Sequence, residues 1–173
     1  MRTFRLEHAP GAGLTLRRVK PKLDSQQVEL IGRSILTTRL LLGGIEVALP
    51  ERDRGIDLVA YLDREDEGFR ACPIQLKAAT AEAFSIDRKY EKCTGLLLAF
   101  VWRATDAANA EVFTVTYANA LEIAEKMGWL KTASWTKRGK YSTSRPSAVL
   151  RDHLLPYRST PALLLTQIGG SAH

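Results

Sequence analysis

The run Gly95-Leu-Leu-Leu-Ala-Phe-Val-Trp102 contains no polar side chain. A short, unbroken apolar run of this kind reads as a central strand buried on both faces. Such a strand needs strands beside it and covering layers above and below. That commits the chain to a sheet flanked by helices. The run is also far too short to span a bilayer, so no membrane partner is expected. Residues Met1 to Pro10 carry charge but no apolar h-region. No secretory signal is visible there, and cytoplasmic residence is the expectation.

The rest of the chain can be laid out around this strand. Asp24 or Ser25 is suited to cap a helix. From there Val28, Ile31, Ile35, Thr38 and Leu42 recur at helical spacing until Gly43-Gly44. Three strands are predicted next: Ile45 to Leu49, Ile56 to Leu62, and Phe69 to Ala78. Thr80 to Cys93 reads as a loop and short helix, with Ser85 as its cap. The Gly95 strand would then join the sheet through a helical crossover. A further strand over Glu111 to Thr116, a helix over Ala118 to Met127 and a short helix over Ser147 to Leu154 complete the reading. The order predicts an α/β fold with a mixed central sheet.

A length of 173 residues suits one domain, or one domain with arms. A hydrophobic share of 45% beside a charged share of 25% excludes global disorder. Charge divides the chain into three parts. Residues 1–23 carry six Lys/Arg and one Glu; residues 24–126 carry twelve basic and seventeen acidic side chains; residues 127–151 carry six basic and no acidic ones. We therefore read 1–23 as a basic arm with a short strand around Leu14 to Val19, 24–130 as the core, and 131–173 as a basic and aromatic extension packed on it. Basic flanks suit a polyanion such as nucleic acid, and an acidic middle suits a cation. Solubility alone would explain the same pattern. The spacing of Cys72 and Cys93, and of His8, His153 and His173, fits no zinc site, so the cysteines read as small apolar residues.

The second and third strands carry the chemistry. Alternate residues of a strand share a face. Asp57, Val59 and Tyr61 therefore face one way, and Ile56, Leu58, Ala60 and Leu62 the other. Pro73, Gln75 and Lys77 share a face, and Cys72, Ile74, Leu76 and Ala78 take the apolar one. A hairpin turning symmetrically about Asp66 brings Asp57 opposite Gln75, about 5 Å apart. A bulge at Pro73 would shift that register. A carboxylate inside an apolar strand must be paired or bind a metal. Asp57 thus either forms a salt bridge with Lys77 or serves a metal site.

The string Arg54-Gly55-Ile56-Asp57-Leu58-Val59-Ala60-Tyr61, followed after a turn by Pro73-Ile74-Gln75-Leu76-Lys77, resembles the signature of the PD-(D/E)XK nuclease superfamily. The resemblance covers roughly residues 24–116 and implies a restriction-endonuclease-like αβββαβ core. It implies that Asp57 is the central metal ligand and that Gln75 stands where an acidic residue is usual. Lys77 would position or activate the attacking water, and the Leu76 carbonyl would join the metal shell. Glu29 would match an acidic residue on the first helix; read from its spacing alone, it pairs with Arg33. The implied cofactor is Mg²⁺ or Mn²⁺, and the implied reaction is phosphodiester hydrolysis. A neutral Gln75 weakens the site's hold on a cation.

On the substrate side, Lys131, Trp135, Lys137, Arg138, Lys140, Tyr141 and Arg145 mix cations with aromatics, which can hold phosphates and stack on bases. An exposed basic loop with two packing aromatics is the plainer reading. By the resemblance, Lys89 and Tyr90 line the substrate groove, with Arg54 close by. Arg17, Arg18, Lys20 and Lys22 of the arm would clamp a duplex or form dimer contacts. Two cuts would favour a symmetric homodimer. Three readings follow: a metal-dependent DNA endonuclease, a non-catalytic nucleic-acid-binding or regulatory module on the same fold, and an unrelated α/β domain with a structural Asp57–Lys77 pair.

Overall fold

The structure is a computed structural model and describes residues 22–52, 54–65 and 68–170. The strand expected in the arm, with Arg17, Arg18 and Lys20, lies outside the described residues; Lys22 is described and exposed.

Helix α1 spans Ser25–Leu42. Asp24 caps it, accepting from the Gln27 N–H while the Gln27 side chain accepts from the Asp24 N–H. This reciprocal box satisfies two of the N–H groups that every helix start leaves open. Val28, Gly32, Leu36 and Leu40 form its buried stripe. Gly32 is where α1 comes closest to the sheet: a Cβ there would lie 2.4 Å from the Ala78 Cβ. Only glycine permits that approach.

The main sheet has five strands: β1 (Glu46–Ala48), β2 (Leu58–Arg64), β3 (Gly68–Ala78), β5 (Leu97–Trp102) and β6 (Glu111–Thr116). Their order is β1-β2-β3-β5-β6. β3 and β5 run parallel, and the other neighbouring pairs are antiparallel. All six residues of β5 are buried, as the apolar run requires. β2 and β3 pair as Leu58↔Ile74 through Arg64↔Gly68, the register expected of a hairpin centred on Asp66. No bulge interrupts it at Pro73.

Two apolar layers cover the sheet. On one face α1 and α5 (Pro161–Gly169) meet Leu58, Ala60, Cys72, Ile74, Leu76 and Val101. On the other, α2 (Tyr117–Lys126) joins Leu98, Phe100, Trp102, Phe113 and three aromatics, Phe84, Trp129 and Trp135. Among the described residues no helix is long and apolar enough to cross a membrane.

The crossover from β3 to β5 differs from expectation. It holds no α-helix. Residues Phe84–Asp87 form strand β4, followed by a 3-10 turn over Arg88–Tyr90. Phe84 and Ile86 are buried while Ser85 and Asp87 are half-buried, a period of two that belongs to a strand. The second helix of an αβββαβ order is therefore missing at its place, and the architecture stands as a mixed five-stranded sheet flanked by helices.

The extension is also more deeply woven in than expected. Strand β7 (Lys140–Thr143) pairs antiparallel with β4, so residues 140–143 complete a structure begun within the crossover. Between α2 and β7 lies α3 (Ala133–Arg138), and α4 (Ala148–Leu154) follows, capped by Ser147. Helix α5 was not anticipated, although Thr160-Pro161 is a strong start signal: Thr160 caps and proline takes the first turn.

Two outcomes test this packing. Gly32→Ala is expected to destabilise by about 1–3 kcal/mol, despite the better helix propensity of alanine, because the sheet must yield. Thermal unfolding of the single variant and of a Gly32→Ala, Ala78→Gly double variant checks it: the second change should recover most of the loss. Burial pushes the Cys72 thiol up from 9.0 to about 11. The fold therefore keeps a proton that the unfolded chain releases. Its contribution, up to about 3 kcal/mol, is full below pH 9 and is lost as pH rises toward 11. Urea unfolding across that window should show a steeper decline in the native chain than in Cys72→Ala.

Candidate active site

The site forms where β2 leaves the β3 ladder. Leu58 opposes Ile74, yet the Asp57 N–H also bonds the Ile74 carbonyl, at 2.8 Å. The chain slips by one residue there. Gly55, just before, has φ +93°, a left-handed conformation that favours glycine. Ile56, expected beside Leu58, instead packs with the second apolar layer.

As a result the next rung of β3 is taken by side chains. The Leu76 N–H donates to Asp57 Oδ2 at 2.5 Å. Gln75 Nε2 donates to the same oxygen and also to the Leu76 carbonyl at 3.3 Å. Asp57 and Gln75 are both 8% exposed. A buried carboxylate with two N–H donors is well satisfied, which answers the cost of placing it in apolar surroundings. Gln75 Oε1 points toward Gly55: it would lie 3.8 Å from a Cβ built there.

Lys77 follows Gln75 on the same face of β3 and is half-buried. Its Nζ donates to the Tyr90 hydroxyl at 2.9 Å and lies 5.2 Å from the centre of that ring. Tyr90 comes from the 3-10 turn and is 2% exposed. Burial raises its phenol pKa; the charge of Lys89 and its hydrogen bond oppose this, and the charges of Asp87 and Asp57 add to it. The hydroxyl stays protonated at neutral pH and accepts from the Lys77 ammonium.

The expected site residues thus divide. Asp57, Gln75, Leu76 and Lys77 come together. Glu29 sits on α1, whose layer includes Leu76, on the face opposite to Gln75 and Lys77. Glu29 is exposed, and its carboxylate accepts from Arg33 at 2.7 Å. Tyr90, expected to contact nucleic acid, is instead a buried part of the site. Trp135 is buried as well, and Tyr141 stacks on Trp129 with ring centres 4.4 Å apart, so these aromatics serve the core. Lys89, Lys137, Arg138 and Lys140 are exposed. The β4–β7 pairing sets Lys140 opposite Asp87, so the cations of two distant segments meet beside the turn that carries Tyr90. Arg54 is exposed next to Gly55.

For a hard cation the available donors are an Asp57 oxygen, the Gln75 amide oxygen and the Leu76 carbonyl. All are oxygens, as Mg²⁺ prefers, but only one is charged. Gln75 presents Nε2 to Asp57; a half-turn of the amide exchanges its N and O. Reversing it turns Oε1 toward Asp57 and frees the Leu76 carbonyl. An ion held there would keep several waters. Among the described residues no three His, Cys, Asp or Glu are grouped to hold a metal.

A second polar cluster lies at the far end of β5. Arg103, at φ +52°, bonds Glu82, Glu111 and the Asn109 carbonyl. Arg151 and Arg158 bind the same two carboxylates. This chain of ion pairs ties the crossover, β6 and the C-terminal segment together.

Asp57→Ala would leave the Leu76 N–H without its acceptor and the Gln75 amide with the Leu76 carbonyl alone. Urea unfolding is expected to show a loss of about 1–3 kcal/mol, with Asp57→Asn losing less.

Comparison with protein-family models, with curated proteins and with solved structures gives no match for this chain, so its functional reading rests on the geometry of this site.

Proposed function

We propose that this chain is a divalent-metal-dependent nuclease that hydrolyses phosphodiester bonds of DNA, of the PD-(D/E)XK type its motif resembles. One observation carries the reading. Asp57, Gln75 and the Leu76 backbone converge where β2 leaves β3, and Lys77 stands one step further along the same face.

In this reading Asp57, the reversed Gln75 amide and the Leu76 carbonyl hold Mg²⁺ or Mn²⁺. When bound, the ion polarises a phosphoryl oxygen and lowers the pKa of a water. Lys77, fixed by Tyr90, offers a cation to the charge that develops on the phosphoryl group. Glu29, paired with Arg33 on the opposite face of the sheet, stands outside this set. Lys89, Lys137, Arg138, Lys140 and Arg54 receive the flanking phosphates. Such contacts set affinity and salt dependence and do not read sequence. A homodimer would supply a second cut.

A second reading is favoured by the single carboxylate among these donors and by the bond from Gln75 Nε2 to Asp57. In that reading the chain binds nucleic acid without cutting it, as a regulatory or accessory module.

Plasmid cleavage separates the two. The nuclease reading expects nicking or linearisation that requires Mg²⁺ or Mn²⁺ and is abolished by EDTA. Activity should fall by about two orders of magnitude or more in Asp57→Ala and Lys77→Ala. DNA binding with no product under any divalent ion would leave the binding module as the function.

A further inference from the structure

We propose that Tyr90 is the positioning residue of this site: its hydroxyl fixes the Lys77 ammonium, and the β4–β7 ribbon fixes Tyr90. The four-carbon stem of a lysine has several rotatable bonds, so its ammonium is placed by what it contacts. Tyr90 is one such contact, accepting from Nζ at 2.9 Å. The tyrosine is itself packed on several sides. It is buried among the second apolar layer, and the Lys89 Nζ lies 4.9 Å from its ring centre. Its turn is pinned twice at its start. Asp87 caps it by accepting from the Lys89 N–H at 3.0 Å, and the Arg88 N–H donates to the Gly139 carbonyl at 2.6 Å. Gly139 is at φ +67°, and a Cβ there would lie 3.2 Å from the Arg88 Cβ, so the tether depends on glycine.

A line of contacts therefore runs from the exposed cations of α3 and β7, through Gly139 and Arg88, to Tyr90 and Lys77. The segment that would receive a polyanion is the same segment that holds the lysine in place. Tyr90 also reaches the Asp57 side of the site: its Cε1 would lie 3.6 Å from a Cβ at Gly55. The catalytic consequence rests on the nuclease reading above; the positioning of Lys77 does not.

Tyr90→Phe keeps the ring and deletes only the acceptor. Acetylation of Lys77 by an N-hydroxysuccinimide ester at fixed pH, followed by peptide mass spectrometry, reads how readily the ammonium leaves its acceptor and gives the reactive amine, without reference to activity. Labelling is expected to rise about fivefold, the factor that corresponds to one net hydrogen bond. Unchanged labelling in a folded Tyr90→Phe variant overturns the proposal. Gly139→Ala, which retains the hydroxyl but displaces its turn, should give an intermediate rise and serves if the first variant fails to fold. In the cleavage assay Tyr90→Phe should lower kcat by on the order of tenfold to a hundredfold with KM within about twofold. An unchanged kcat overturns the catalytic role of Tyr90. Faster labelling beside an inactive native chain sustains the positioning and removes the nuclease reading instead.

Discussion

The end of the β2–β3 ladder is the constraint on which the rest depends. β3 lies between two strands, and its backbone groups on the β2 side must find partners as far as β2 extends and beyond it. At Leu58 the regular pairing stops, because the Asp57 N–H takes the carbonyl of Ile74. The Leu76 N–H and carbonyl are then left facing side chains. Asp57 and Gln75 fill that gap, and a buried carboxylate is tolerated there because the gap supplies its donors.

The two halves of the chain are bound into this arrangement by the crossover. A helix there would have covered the sheet and ended its role. A strand instead leaves an open edge, and β7 takes it, with Lys140 opposite Asp87 and Phe84 opposite Thr143. This brings the basic stretch after α2 to the turn that carries Tyr90. Charge separated by about fifty residues of sequence becomes one exposed patch beside the candidate site. The ion pairs around Arg103 act at the opposite end of the crossover, joining Glu82 to Glu111 and to the arginines of the C-terminal segment. The crossover is therefore held at both ends by residues that enter the fold late.

Much of the fold was legible. The capping box at Asp24 and the stop at Gly43 bound α1 as read, and the apolar alternation of Leu58, Ala60, Leu62, Cys72, Ile74 and Leu76 named one face of the hairpin correctly. A turn centred on Asp66 set the register as far as Leu58 opposite Ile74, and the slip beyond it brings Asp57 to the Leu76 N–H and the Gln75 amide. Tyr90 was visible only as an aromatic near cations, a pattern that suggests base stacking. Its burial depends on α2 and the aromatics around Phe84, which no local pattern reveals. Glu29 was misjudged for a related reason: a helical position states which residues share a stripe, not which face of the sheet the helix will cover.

Local patterns of polarity thus determined the strands, the first helix and the gathering of Asp57, Gln75 and Lys77, because side-chain alternation and hairpin register act over a few residues. Tertiary structure alone decided that Phe84 to Asp87 would be a strand, that Lys140 would lie beside Asp87, and that the Tyr90 hydroxyl would hold Lys77. Those outcomes depend on which distant backbone satisfies an open edge and which apolar surfaces close over it. Both are settled by global packing and hydrogen bonding, and neither leaves a mark within reach of a local pattern.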